Sequence, residues 1–311
     1  MEALLYSIET LFPVYVLILL GFLFRRKGFL DEAFIRTGTK LLFNVAMPIL
    51  LFLNLLDTDL SHTFEWRLLV YAFAGTTLFY VALRIIVPRF LKDPAVSSAF
   101  IQGSFRGNLL IMGMPIVFAL AGNEGIAKLG MVLTLMAPYN TIASVLILSR
   151  AGGEMKRQLM IKEVLLNPLF LACIAGVAGS LLGLHLPELL RTPLDHLADL
   201  TLPLSLLTLG ANIHFRGEET NIRRAVSASL LKVAVFPLVM IPLCVMLGLR
   251  GADLAVMLVI FGAPAASSSF PMAYQMGADH KLASLIIVFT HVLCLPAMFC
   301  FIFVLRFMGW L

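Results

Sequence analysis

The sequence predicts an all-α membrane protein: ten transmembrane helices forming two inverted five-helix repeats, with helices 4 and 9 broken and crossing. Three observations predict it. First, 60% of the 311 residues are apolar and only 13% are charged, with a mean hydropathy of +0.97. A soluble fold of this length cannot hide that much apolar surface behind so few charges. Second, the basic residues alternate between successive loops. Third, glycines and prolines of the two halves coincide at a constant offset. A β-barrel is excluded by stretches such as Val14–Phe24 and Leu68–Val87, which lack the apolar-out, polar-in alternation of barrel strands.

A membrane-crossing helix needs about 20 mostly apolar residues. The chain divides into ten such stretches: 8–24, 38–56, 66–88, 97–121, 125–149, 163–184, 196–213, 224–248, 252–276 and 282–308. The first ends at Arg25-Arg26-Lys27, and Arg36 and Lys40 lead into the second. Arg84, Arg89 and Lys92 mark the exit from the third, and Arg150, Lys156, Arg157 and Lys162 follow the fifth. Arg216, Arg223 and Arg224 follow the seventh, and Lys281 follows the ninth. Even-numbered loops and the tail carry only Arg67, Lys128, Arg191, Arg250 and Arg306. By the positive-inside rule the odd loops are cytoplasmic and both termini face outward. The opening Met1-Glu2-Ala3 has no basic segment ahead of its apolar run, unlike a cleaved signal peptide.

At an offset of 155 residues Pro13 meets Pro168, Gly21 meets Gly176, Gly28 meets Gly183, Pro48 meets Pro203 and Gly122 meets Gly277. Backbone roles of glycine and proline are the hardest to replace. The coincidence therefore defines a repeat, residues 1–150 and 163–311, joined by a short basic cytoplasmic linker, 151–162. Five spans per half force the second half to be inverted, which is a transporter architecture.

Both halves interrupt their fourth span. Span 4 reads Gln102-Gly103-Ser104-Phe105-Arg106-Gly107-Asn108-Leu109 and continues to Pro115. Span 9 reads Ala263-Pro264-Ala265-Ala266-Ser267-Ser268-Ser269-Phe270-Pro271. Unpaired backbone at mid-membrane costs several kcal/mol, so such stretches line a cavity or are enclosed in protein. Breaks near Gly107 and Pro264 would aim two half-helix N-termini at the bilayer centre, a site suited to a carboxylate. Proline kinks used only for packing are the alternative.

Arg106 and Lys232 are cations within spans. Arg106 either attracts a substrate anion or snorkels to a vestibule and freed carbonyls, and Lys232 reads as snorkelling or ion-paired. Asn44 and Asp199 share the 155 offset, each four residues before a matched proline, and either face the cavity or satisfy opened backbone. Gln102, Gln275 and His291 are coupling or support candidates. His291 is either a proton relay or a histidine bonded to a neighbouring helix. Tyr139 and Asn140 neighbour the breaks in span order. The four cysteines, Cys173, Cys244, Cys294 and Cys300, read as small buried hydrophobes. No G-x-x-x-x-G-K-[ST] loop, metal-ligand spacing or catalytic cluster is present, so neither an enzyme nor a cofactor is expected. The net charge of +5 reflects loop anchors for a lipid bilayer rather than nucleic-acid binding.

These motifs resemble the auxin efflux carrier family, bacterial permeases and PIN-type plant auxin exporters, across essentially the whole chain. Gly107-Asn108-Leu109-Leu110-Ile111-Met112-Gly113-Met114-Pro115 is similar to the plant crossover P-N-T-L-V-M-G-I-P. Ala263-Pro264 followed by Phe270 and Ala273 is similar to L-P-Q-G-I-V-P-F-V-F-A. Asn167-Pro168, Leu209-Gly210 after Pro203, and Gly277-Ala278-Asp279 complete the set. The resemblance implies a scaffold of helices 1, 2, 6 and 7, which also serves as a homodimer contact, and a transport domain of helices 3–5 and 8–10. It implies a small organic anion bound beside the crossover, with Asn108 in the place of the asparagine that contacts a substrate carboxylate. Gly107 stands where the family has its first crossover proline, and the second proline of span 9 falls at Pro271 rather than Ser269. Bacterial relatives are linked to malate and malonate.

The expected activity is secondary transport of small organic anions by alternating access in a bacterial inner membrane. The expected site comprises Asn108, Arg106, Gly107, Leu109, Pro264, Ala265, Ser267, Ser268, Ser269 and Asn44, and the coupling ion is left open between a proton, sodium and none. Two alternatives are a sodium-coupled symporter of the bile-acid type, disfavoured by the lack of a crossover carboxylate, and a gated anion channel.

Overall fold

The computed structural model describes residues 2–57, 66–151, 166, 168–211 and 222–311. Most of the linker 151–162, the start of span 6 and Asn167 lie outside the described residues, as do the side chains of Pro271 and Gln275. Among the described residues the secondary structure is helical, and the only strand-like feature is one antiparallel bridge between Gly107 and Ala265.

In chain order the helices are α1 (Glu2–Arg26), α2 (Glu32–Leu41), α3 (Met47–Leu56), α4 (Trp66–Phe90), α5 (Pro94–Phe105), α6 (Met114–Leu148), α7 (Pro168–Leu181), α8 (Glu188–Asp199) and α9 (Thr201–Ala211). They continue with α10 (Ile222–Leu230), α11 (Phe236–Met246), α12 (Gly251–Gly262), α13 (Ser269–Gln275) and α14 (His280–Phe307). Five helical stretches are long and apolar enough to cross a membrane: Glu32–Leu56, Trp66–Phe90, Leu109–Ala151, Ile222–Met246 and His280–Phe307. Within Leu109–Ala151 helical geometry fails at Gly122, whose φ of 56° breaks the 43-residue run at the sequence-predicted boundary between spans 4 and 5.

Local chemistry starts and bends these helices. Asp31, Asp93 and Asp279 each cap a helix by accepting a backbone N–H, from Phe34 at 2.7 Å, Ala95 at 2.9 Å and Leu282 at 2.9 Å. Three π-helical turns, Leu42–Ala46, Leu109–Gly113 and Leu231–Val235, each run into a helix whose second residue is proline: Pro48, Pro115 and Pro237. A proline has no N–H and its ring crowds the carbonyl four residues back, so widening the preceding turn relieves both problems. The widened turns were not foreseen from the sequence.

Helix α1 packs on α9, and α3 on α7. A Cβ on Gly21 would overlap the Leu207 carbonyl oxygen, and one on Gly176 would come within 2.9 Å of the Phe52 carbonyl oxygen. Both the glycines and the carbonyls they rest on are 155 positions apart. Gly28 and Gly183, and Gly122 and Gly277, also share positive φ. Sequence-matched glycines thus occupy matched backbone environments.

Apolar faces sort by surroundings. Val70, Leu78, Ile85 and Ile86 of α4 and Leu238, Val239 and Met246 of α11 are exposed, as lipid-facing residues must be. By contrast every residue of α5 from Val96 to Phe105 and of α12 from Leu254 to Gly262 is buried. These half-spans are wrapped by protein on all sides: the α12 stretch is apolar around the whole helix, while α5 also encloses Ser97, Ser98, Gln102 and Ser104. Cys173, Cys244 and Cys294 are buried, but Cys300 is exposed, correcting the sequence expectation: it lies on the outer face of α14.

Candidate functional site

The two interrupted spans meet. Helix α5 stops at Phe105, and Arg106 adopts extended geometry (φ −80°, ψ 111°) before the π turn begins at Leu109. Helix α12 stops at Gly262, and α13 begins at Ser269. Between them the freed backbone groups pair across the gap. The Asn108 N–H donates to the Pro264 carbonyl at 2.6 Å, and the Ala266 N–H donates to the Arg106 carbonyl at 3.0 Å. The Ala265 N–H donates to the Thr290 hydroxyl at 3.1 Å. Three N–H groups and two carbonyls that hydrocarbon would leave unpaired are satisfied within the protein, which makes a double break tolerable. The breaks also mark a seam between two apolar clusters. Phe105 and Ala265 belong to one, Leu109 and Ala263 to the other.

Polar side chains line this seam. Asn108 is buried; its Oδ1 accepts the Ile111 N–H at 3.2 Å, and its Nδ2 lies 3.5 Å from the Ser267 Oγ. The asparagine therefore caps the second half of span 4 while reaching across to span 9. Ser267 and Ser268 are exposed, whereas Ser269 is buried with an unpartnered hydroxyl. Arg106 donates to the Ser144 hydroxyl at 3.3 Å and abuts the Met272 sulfur at 2.6 Å. Among the described residues it forms no ion pair. Gln102 is fully buried, its Nε2 3.8 Å from the Met272 sulfur and its Oε1 without a partner.

The chain belongs to the membrane transport protein family. The family model, that of auxin efflux carrier-like transporters, matches residues 6–302. The chain is 27% identical to an uncharacterized transporter of Methanothermobacter thermautotrophicus over 94% of its own length and 96% of that protein's. It is 21% identical to an uncharacterized transporter of Methanocaldococcus jannaschii over 88% of its length and 91% of the relative's. The protein is a membrane transporter and not an enzyme.

Within this transporter, other sequence candidates fall in different places. Lys232 neither snorkels nor joins an ion pair among the described residues. It is completely buried in the π turn after α10, and its Nζ donates to the Phe261 carbonyl at 2.9 Å. The reason is packing: that turn is pressed against α5, α12 and α14, so the side chain has no route to water. His291 holds its Nδ1 against the Ile287 carbonyl of its own helix at 2.7 Å and leaves Nε2 unpartnered. Tyr139 is tied to Thr77 at 2.6 Å. Asn44 is exposed and donates to the Lys40 carbonyl of its own helix at 2.9 Å. Asp199 is also exposed, at the end of α8. Neither hydrogen-bonds to the crossover among the described residues. Gln275 ends α13. No group of three metal-ligating side chains occurs among the described residues.

Ser144, Met272 and Thr290 escaped the sequence reading. Ser144 lies four residues after Asn140, on the same helix face, and donates to the Asn140 carbonyl at 2.7 Å. That spacing was the available signal. Nothing in the sequence marks Met272 or Thr290 beyond their nearness to the breaks.

Proposed function

We propose that this protein is a secondary transporter of small organic anions, such as malate, malonate or auxin-like carboxylates, working by alternating access with its site at the crossover. The observation that carries the reading is Arg106: a partly buried guanidinium beside the break, held by a hydroxyl and a thioether, with no carboxylate paired to it among the described residues. A cation so placed is costly unless a ligand anion neutralises it at some stage. Asn108 and the exposed Ser267 and Ser268 offer neutral donors next to it. Gly107, Leu109, Pro264, Ala265 and Ser269 form the walls, Gln102 supplies an unpartnered amide oxygen, and Asn44 lies on the scaffold side.

The proposed architecture is ten spans in two inverted repeats, with helices 1, 2, 6 and 7 as a dimeric scaffold and helices 3–5 and 8–10 as the moving domain. The paired environments of Gly21 and Gly176 support the repeat. The proposed location is the cytoplasmic membrane of a bacterium, and the charge alternation supports an orientation with both termini outside.

The test is solid-supported-membrane current from proteoliposomes challenged with malate, malonate, succinate, lactate and indole-3-acetate. Saturable current from one or two carboxylates, abolished in Arg106→Ala, is the expected result. Silence to every anion in a folded preparation would overturn the reading. Flux without counterflow would make the protein a channel instead.

A further inference from the structure

Lys232 is a cation sealed inside the protein at one particular place. Its side chain is 0% exposed, and its ammonium bonds the Phe261 carbonyl at the C-terminal end of α12, beside the break. A Cβ on Gly107 would stand 3.4 Å from the Lys232 Nζ, so the ammonium sits close to both broken spans. Its other neighbours are the Phe236 ring, 5.0 Å below it, and the Cys294 thiol, which faces the Gly262 carbonyl at 3.6 Å.

Among the described residues no carboxylate answers this charge. The elements packed against the turn are α5, α10, α11, α12 and α14, and their sequences contain one carboxylate, Asp253. Asp253 sits at the opposite end of α12 and is committed to Lys128 at 2.6 Å. The Cys294 thiol of α14 is no carboxylate and is turned to the Gly262 carbonyl at 3.6 Å. What compensates the ammonium is backbone: the last carbonyls of a helix lack intrahelical partners and carry roughly half a negative charge. The C-terminal ends of half-helices and unwound carbonyls are where sodium-coupled carriers hold their sodium.

We propose that the Lys232 ammonium is a built-in cation, filling at the end of α12 the place that a bound sodium ion takes in a coupled carrier, so that this protein works without sodium. Lys232 is then a positioning residue: its charge holds α12 in register with the break at Gly107. The proposal rests on the transporter reading above, but its first readout needs no substrate.

The experiment compares wild type, Lys232→Ser and Lys232→Met, purified in choline, sodium or methylammonium chloride. Serine removes the ammonium and leaves room and an oxygen for a small cation; methionine fills the space without charge. The melting temperature of wild type is expected to be the same in all three salts, whereas that of Lys232→Ser rises in sodium or methylammonium. In proteoliposomes, anion current in choline falls at least about tenfold in both variants, because a buried carbonyl cluster is left without its partner. Sodium or methylammonium restores part of it in Lys232→Ser and none in Lys232→Met. If Lys232→Ser folds only when purified in one of the small cations, the same conclusion follows. A Lys232→Ser protein indifferent to both cations, a Lys232→Met protein carrying wild-type current, or sodium-dependent wild-type transport would each overturn the proposal. If wild type moves no anion at all, the transporter site is wrong while the melting data still decide the role of Lys232.

Discussion

Gly107 and Ala265 lie 158 positions apart in sequence and pair antiparallel at the point where both of their helices are broken. Their neighbours make the bond: the Asn108 N–H reaches the Pro264 carbonyl, and the Ala266 N–H reaches the Arg106 carbonyl. Each break supplies what the other lacks. Neither interruption would be stable in a membrane alone, because its donors and acceptors would face hydrocarbon or the apolar cores on either side. The crossover is thus one cooperative unit, and its side chains inherit fixed positions from backbone pairing.

Asn108 holds this unit from one side. Asn108→Ala removes both the cap on the Ile111 N–H and the contact to Ser267. Loss of a cap costs about 1 kcal/mol. The expected outcome is a modest fall in melting temperature together with a far larger loss of anion current; a fall in both by the same modest degree would assign Asn108 to stability alone.

Thr290 holds it from the other. Thr290→Val keeps the shape but strands the Ala265 N–H, a buried donor whose desolvation costs about 1–3 kcal/mol. Thr290→Ser retains the hydroxyl and should melt close to wild type. Thermal unfolding of the two variants in the same detergent checks the difference.

Lys128 joins the two halves through Asp253 at 2.6 Å and also bonds Glu124 at 2.9 Å. Asp253 is mostly shielded while Glu124 is well exposed. Breaking a buried pair costs about 3–5 kcal/mol, an exposed one about 0–1 kcal/mol. Asp253→Ala is therefore expected to destabilise far more than Glu124→Ala, and added salt should change the contribution of the shielded Asp253 pair little. Equal melting temperatures for the two variants would contradict this.

Gly210 and Gly28 separate two uses of glycine. A Cβ at Gly210 would run into the Ile18 carbonyl oxygen across the α1–α9 contact, so Gly210→Ala must push the helices apart. Gly28 has φ 80° and nothing within 4 Å, so Gly28→Ala bears only the conformational penalty, about 1 kcal/mol. Expression and melting of the two variants measure the contrast: Gly210→Ala should fold poorly and Gly28→Ala nearly normally.

Much of this was readable in the amino-acid order. The positions of the breaks followed from Gly107 and Pro264, because residues that cannot continue a helix announce themselves. The division at Gly122 followed from apolar run lengths, and its positive φ agrees. The Gly21 and Gly176 pairing was readable as an offset, though not the carbonyls they rest on. Lys232 was misread because snorkelling depends on whether a side chain has a path to water, and that depends on which helices pack around it. The shared offset left Asn44 and Asp199 either facing the cavity or satisfying opened backbone; both are exposed, and Asn44 bonds the Lys40 carbonyl.

The sequence by itself determined that this chain is helical and membrane-embedded and where its two crossover helices break, since those depend on local composition, proline and glycine chemistry, and the placement of charge. Only the tertiary structure decided that the two stops face one another, that Ser144 and Met272 hold Arg106, and that Lys232 ends on the carbonyl of Phe261. The reason is that these partners, from 29 to 166 positions apart in sequence, are chosen by packing, which no local pattern records.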